Sequence, residues 1–262
     1  MKLTIITPSF NQAPFLEKTL RSVLDQGHDD LEYLVADGGS TDGSREILER
    51  YDDRLAWWVS EPDAGQTDAI NKALRRATGD VVAYVNSDDY FLPGAFAAVV
   101  DEFERTGAPW VIGAAREEEA DGTVTGMWEP RLPTKARHWW LLDPWGYPQP
   151  STFWRRELFA RHGSFREDMH FIFDTEFGIR LLLSGEVPAL TDRPLAVRVD
   201  HPAAKSQEAA PFAREQERFY ALHAAKLSRG ERAKLAFWRR FVGSRAHRAV
   251  DRLRLKERLG RR

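Results

Sequence analysis

Short, unbroken apolar runs alternate with segments of helical periodicity through residue 114, and that alternation leaves few architectures open. The runs cover residues 3–7, 31–36, 55–59, 81–85 and 110–114. Between them lie a helix opened by Pro14, with Leu16, Leu20, Val23 and Leu24 at helical spacing, and further helical segments at 44–51, 67–77 and 94–105. Strands that are apolar on both faces belong in the middle of a sheet covered by helices, which predicts an α/β fold with a mainly parallel central sheet.

In such sheets ligands bind beyond the carboxyl ends of the strands. Polar clusters stand at those ends: Thr7 to Asn11 after the first run, Asp37 to Asp42 after the second and Asn86 to Asp89 after the fourth. Three clusters on one sheet edge predict a single site.

After Arg116 the rhythm loosens. The pattern predicts a hairpin at 118–127, an aromatic and proline-rich stretch at 138–150, a helix beginning near Asp174 and a short strand at 196–199. From Pro211 onward the signals are helical. The division expected is a catalytic body, 1–206, and a helical basic extension, 207–262.

Of the 262 residues 42% are hydrophobic, with 15 Phe and 9 Trp, enough for a large core and incompatible with global disorder. The absence of cysteine excludes disulfides and thiolate chemistry. The first apolar run is too short for a signal peptide and no stretch reaches membrane-spanning length, so a cytoplasmic protein is expected. The net charge of −2 hides an asymmetry: from Arg229 to Arg262 there are 13 Lys/Arg against 3 Asp/Glu, leaving the rest at −12. Trp238, Val242, Ala249 and Leu253 recur at helical spacing among Arg239, Arg240, Arg245, Arg248 and Arg252, as in a basic amphipathic helix. Such a helix can lie on an anionic membrane surface, at the inner face, or dock on the acidic body. Nucleic-acid binding is not expected, because the body is acidic and carries no recognisable module.

The sharpest chemical feature is Asp88-Asp89 at the end of an apolar run. Adjacent carboxylates repel unless a cation or donors offset them, and hard cations such as Mg²⁺ or Mn²⁺ take oxygen ligands while leaving room for substrate phosphates. A solvated Asp-Asp turn is the plain alternative.

Four motifs in order resemble the family 2 glycosyltransferases: TPSFN at 7–11, VADGGSTDG at 35–43, EPDAGQTDAINK at 61–72 and ATGDVVAYVNSDD at 77–89. The resemblance covers roughly residues 2–206. It implies the GT-A fold and an inverting transfer of a sugar from a nucleotide-diphosphate donor, typically a UDP-sugar, to an acceptor hydroxyl. Family members of this kind build bacterial surface polysaccharides, so the acceptor implied is a saccharide or lipid-linked saccharide.

Carried over by residue, the resemblance puts Thr7, Pro8, Asn11, Asp37 and Gly39 around the nucleotide base, with Asp37 accepting from it. Asp68, Asn71 and Lys72 border the donor, Asn86 and Asp88 face its ribose or sugar, and Asp89 holds the divalent metal, Mn²⁺ or Mg²⁺. Asn86 stands where the family often has a carboxylate, which implies one carboxylate plus diphosphate oxygens around the metal. FDTEF at 173–177 resembles the segment of the catalytic base, with Asp174 in its position and Glu176 as the reserve; a helix cap is the plain reading of Asp174. HPAAKS at 201–206 resembles a closing loop in which His201 reaches the metal while Lys205 and Ser206 meet the diphosphate. QPSTFWRR at 149–156 resembles an acceptor-side segment, and Trp139, Trp140, Trp145 and Tyr147 could form a sugar platform or simply pack.

A nucleotidyltransferase would carry a glycine-rich basic loop after the first run, which TPSFN is not, and no Gly-x-Gly-x-x-Gly marks a dinucleotide enzyme. A catalytically silent nucleotide-sugar sensor or scaffold stays open.

Overall fold

The computed structural model describes residues 1–132, 148–202 and 209–242, with backbone alone at 209–213, 238–239 and 241–242. Its strands are β1 (Leu3–Ser9), β2 (Leu31–Asp37), β3 (Trp57–Ser60), β4 (Val81–Tyr84), β5 (Tyr90–Phe91), β6 (Trp110–Glu119), β7 (Val124–Trp128), β8 (Thr152–Arg155) and β9 (Ala189–Asp200). Its helices are α1 (Ala13–Leu24), α2 (Ser44–Arg50), α3 (Gln66–Leu74), α4 (Ala95–Thr106), α5 (Glu157–His162), α6 (Phe173–Leu183), α7 (Ala209–Ala224) and α8 (Arg229–Val242).

The strands form one mixed sheet in the order β3-β2-β1-β4-β8-β6-β9-β5, with β7 paired on β6. The half from β3 to β4 is parallel, as flat apolar strands require. Antiparallel pairing enters where β8 inserts between β4 and β6. Leu3, Ile5, Val35, Val81 and Ala83 are buried, and α1 covers one face with Leu16, Leu20 and Val23, spaced for a single helical stripe. Pro14 falls in the first turn of α1, where a missing N–H costs nothing.

Two elements differ in extent from the sequence pattern. The final strand runs for 12 residues rather than over 196–199, because its first half is largely exposed and polar and gives no apolar signal. β6 continues into the charged run Arg116 to Glu119, where Glu118 is buried and ion-paired to Arg116 at 2.6 Å.

The chain divides into two compact units, residues 1–132 with 145–215 and residues 133–144 with 216–262. The sheet lies in the first. In the second, Ser228 and Glu231 form a reciprocal capping box at the start of α8: Ser228 N–H donates to Glu231 Oε2 at 2.9 Å and Glu231 N–H to Ser228 Oγ at 3.3 Å. Phe237 on α8 is 64% exposed. No described helix is long and apolar enough to cross a membrane.

Candidate active site

β1, β2 and β4 are parallel neighbours, so the segments that follow them leave the sheet on one edge. The first two segments are laced together. Asn11 has φ +51, a left-handed conformation that Asn tolerates better than most residues, and this lets its backbone N–H reach Ser40 Oγ at 2.7 Å while its side chain accepts from Thr41 N–H at 3.0 Å. Gln12 N–H donates to Ser44 Oγ, Ala13 N–H to Asp42 and Gly38 N–H to the Ser9 carbonyl. Asp37 sits beneath this lacing. Its carboxylate accepts from Gly39 N–H, Ser40 N–H, Ser40 Oγ and Ser60 Oγ, between 2.5 and 3.1 Å. Four donors give its carboxyl a set orientation. Above it, Phe10 is 60% exposed and packs against Gly38, whose missing side chain leaves it room.

The turn after β4 is held from α1. The buried Thr19 hydroxyl lies 2.9 Å from the Ser87 carbonyl and 2.7 Å from that of Asp89. One turn on, Ser22 accepts from Phe91 N–H, and Gln26 donates to the Leu92 carbonyl. A polar stripe at 19, 22 and 26 thus grips the backbone from 87 to 92. The two carboxylates of the turn then part. Asp89, 4% exposed, turns inward: it accepts from Val199 N–H of β9 at 2.9 Å and from the Asn86 amide at 3.3 Å. Burial, then the neighbouring Asp88 charge, pushes its carboxyl well above the usual carboxylate range despite those bonds. Asp88 is the more open of the two, and its Oδ2 lies 3.0 Å from His201 Nε2. The His201 ring packs on Phe15 at a centroid distance of 4.6 Å.

Asn86 now has a physical reason. Its amide nitrogen donates to Asp89 while its oxygen accepts from Gln66 at 2.6 Å, a bridge that an aspartate could not make. Gln66 opens α3, and α3 in turn holds the segment leading to α6. Thr67 donates to the Met169 carbonyl at 2.9 Å and Asn71 to the Phe165 carbonyl at 2.8 Å. Aromatic packing completes the link: Tyr84 of β4 lies 5.8 Å from Phe173 and 5.6 Å from Phe165, ring centre to ring centre. Asp174 follows Phe173 directly, in the first turn of α6, and accepts from Thr175 N–H at 2.6 Å.

The residues singled out from the sequence therefore separate into groups. Asp37, Gly39, Asn11, Asn86 and Asp88 stand in the segments following β1, β2 and β4, and Asp174 is tied to the same edge through Phe173. Thr7 is buried against the Tyr33 hydroxyl, Pro8 lies within β1, and Asn71 is 1% exposed with its amide turned to the Phe165–Glu167 segment. Asp68 accepts from Ala64 N–H ahead of α3, and Lys72 is paired to Glu61 at 2.7 Å. Glu176 is buried and paired to Arg180 at 2.7 Å. Gln149 is buried, donating to the Tyr84 carbonyl, and the segment it opens becomes strand β8. Lys205, Ser206, Trp139, Trp140, Trp145 and Tyr147 lie outside the described residues. Phe10 and Thr19 were not singled out. An aromatic in an otherwise polar tip could have flagged Phe10, whereas nothing in the sequence marks Thr19.

No group of three or more His, Asp or Glu side chains converges as a metal cage among the described residues. Asp88 and His201 bring one carboxylate oxygen and one imidazole nitrogen within 3.0 Å of each other, and the carboxylate is the kind of donor that Mn²⁺ or Mg²⁺ takes when phosphate oxygens complete the shell.

Residues 4–163 match the family model described as Glycosyl transferase family 2. Over 90 residues the chain is 44% identical to the putative teichuronic acid biosynthesis glycosyltransferase TuaG of Bacillus subtilis, a match covering 33% of this chain and only 36% of that protein. Among solved structures, S. aureus TarS (residues 1–349) in complex with UDP-GlcNAc superposes with a TM-score of 0.71 at 18% identity, covering 90% of this chain and 70% of that one. The mannosyltransferase PcManGT of Pyrobaculum calidifontis, in complex with GDP-Man and Mn²⁺, gives 0.60 at 19% identity, covering 95% and 82%.

Proposed function

This chain belongs to glycosyl transferase family 2 and has the GT-A fold, and on that premise we propose that it transfers a sugar from a nucleotide-diphosphate donor, a UDP-sugar, to an acceptor hydroxyl with inversion. The observation that supports this reading is that Asp37 ends β2, Asp88 lies in the turn after β4, and Asp174 follows Phe173, whose ring packs on Tyr84 at the end of β4. The relative bound to UDP-GlcNAc supports the donor class.

Within this proposal the exposed Phe10 ring stacks on the base, and the oriented Asp37 carboxyl and its laced loop fix the base edge. The cation site is assigned to Asp88 with His201 in place of Asp89, because Asp89 is the buried one of the two and turns inward to Val199 and Asn86. When bound there, a divalent cation would offset the charge that builds on the departing diphosphate. Asp174 takes the proton of the attacking hydroxyl as the oxygen closes on the anomeric carbon from the face opposite the leaving group. Glu176 is excluded from that task by its ion pair with Arg180.

Bacterial surface polysaccharide or its lipid-linked precursor is the proposed acceptor class, supported by the relative TuaG. The basic helix α8 with its exposed Phe237 supports contact with an anionic membrane surface, and so a peripheral cytoplasmic location.

The test is nucleotide release from a panel of UDP-, GDP- and TDP-sugars, with water as acceptor, in Mn²⁺ or in EDTA. Turnover of one nucleotide class that chelation abolishes is expected. Binding without turnover of any donor would instead favour the silent sensor, and no stabilisation by any nucleoside diphosphate would end the proposal.

A further inference from the structure

The segment that leads into Asp174 ends in three consecutive backbone N–H groups, and all three point at one side chain. Glu215 of α7 accepts from His170 N–H at 2.5 Å and Phe171 N–H at 2.7 Å, and Ile172 N–H lies 3.2 Å from the same carboxylate. Ile172 is the N-cap residue of α6 and makes no side-chain cap of its own, and His170 and Phe171 lie just ahead of the helix. N–H groups at a helix start have no partner within the helix and are offset best by an anion. Here the carboxylate comes from a residue 43 to 45 positions downstream, beyond the last strand of the sheet.

The other side of the same segment is held by α3. Thr67 and Asn71 fix the Met169 and Phe165 carbonyls, and the edge of the His170 ring sits 3.4 Å from where a side chain on Gly65 would begin. The carbonyls are thus tied to α3 and the N–H groups to Glu215. Both ties act on the segment that leads directly into the first turn of α6.

We propose that Glu215 is a positioning residue for sugar transfer: by clamping the N–H groups of His170, Phe171 and Ile172 it fixes the first turn of α6, and with it Asp174, relative to the turn after β4. This deepens the reading of Asp174 as the base and rests on it. The first turns of α7 are then part of the working enzyme and not an appendage to it. The clamp acts on chemistry and not on donor capture, because the loops holding Phe10, Asp37 and Asp88 make no use of it.

The experiment compares the full-length chain with Glu215→Ala and Glu215→Gln by three readouts: backbone hydrogen exchange, stabilisation by UDP with Mn²⁺, and UDP release from UDP-GlcNAc or whichever donor the wild type turns over. In Glu215→Ala, exchange in peptides covering 170–175 rises at least tenfold while peptides covering 37–44 and 86–89 keep wild-type rates. UDP stabilisation is unchanged, and the maximal rate of UDP release falls at least tenfold at an unchanged donor KM. Glu215→Gln, which keeps an acceptor oxygen without the charge, recovers part of both the protection and the rate; it also serves should the alanine variant not fold. Wild-type exchange at 170–175 in both variants overturns the clamp. Raised exchange with an undiminished rate overturns its role in positioning. Should the wild type release no nucleotide from any donor, the transferase reading fails, and the exchange data alone then decide whether the clamp exists.

Discussion

The imidazole of His201, at the end of β9, lies 3.0 Å through Nε2 from Oδ2 of Asp88, in the turn after β4, although 113 residues separate them in the chain. The residue that follows β9 brings an imidazole to a carboxylate of that turn, while the neighbouring Asp89 hydrogen-bonds to the backbone of β9. The two adjacent aspartates therefore have different partners, and substitution separates them.

Asp88→Asn and His201→Ala should each weaken Mn²⁺-dependent UDP binding about tenfold or more with little loss of fold stability, since both leave the backbone bonds of the turn in place. Asp89→Ala should do the reverse in part: it strands the buried Val199 N–H and costs about 1–3 kcal/mol of stability. Metal-dependent UDP titration by calorimetry, alongside urea unfolding of each variant, distinguishes the two outcomes.

Thr19→Val keeps the shape of the side chain and removes the hydroxyl proton offered to the Ser87 and Asp89 carbonyls. The expected cost is about 1–3 kcal/mol, with a raised Mn²⁺ requirement for turnover. Thr19→Ser should restore both. A Mn²⁺ titration of donor hydrolysis for the three proteins is the check.

Phe10→Ala tests the nucleobase platform. An exposed side chain contributes little to folding, so stability should stay within about 0.5 kcal/mol. Stacking of a base on an aromatic is worth about 1–3 kcal/mol, so UDP affinity should fall by roughly 5- to 150-fold. Equal affinity of the variant and the wild type would remove Phe10 from the site.

Acid stability should depend on Glu32 at the opposite edge of the sheet. Burial raises its pKa, but the Thr4 hydroxyl, the Thr78 N–H and hydroxyl, and Lys2 outweigh it, and the carboxyl is held below its ordinary value. The unfolded chain then binds the proton more readily than the folded one. The contribution is thus present above the unfolded pKa and is lost as pH falls through the folded one. The difference in urea midpoint between wild type and Glu32→Gln should shrink from pH 7 to pH 4.

The first half of the sheet was legible because β1, β2 and β4 are buried on both faces and their side chains carry the signal. β8 was not, for a physical reason: Thr152 to Arg155 is four residues long, and Phe153 and Trp154 read equally well as packing in a loop. The site was legible as three polar clusters, since parallel strands must end on one edge. The different partners of Asp88 and Asp89 were not, because they depend on which carboxylate meets a strand that arrives more than 100 residues later. The clamp on α6 is invisible for the same reason: an isolated Glu on a helix looks like any solvated residue.

Asp174→Asn, assayed for UDP release and for UDP binding in Mn²⁺ on the same preparation, tests the proposed chemistry most directly. The substitution should cut release at least a hundredfold and leave the UDP-induced rise in melting temperature at its wild-type size. Release at the wild-type rate would mean that Asp174 takes no proton, and the inverting displacement assigned to this sheet edge would be wrong.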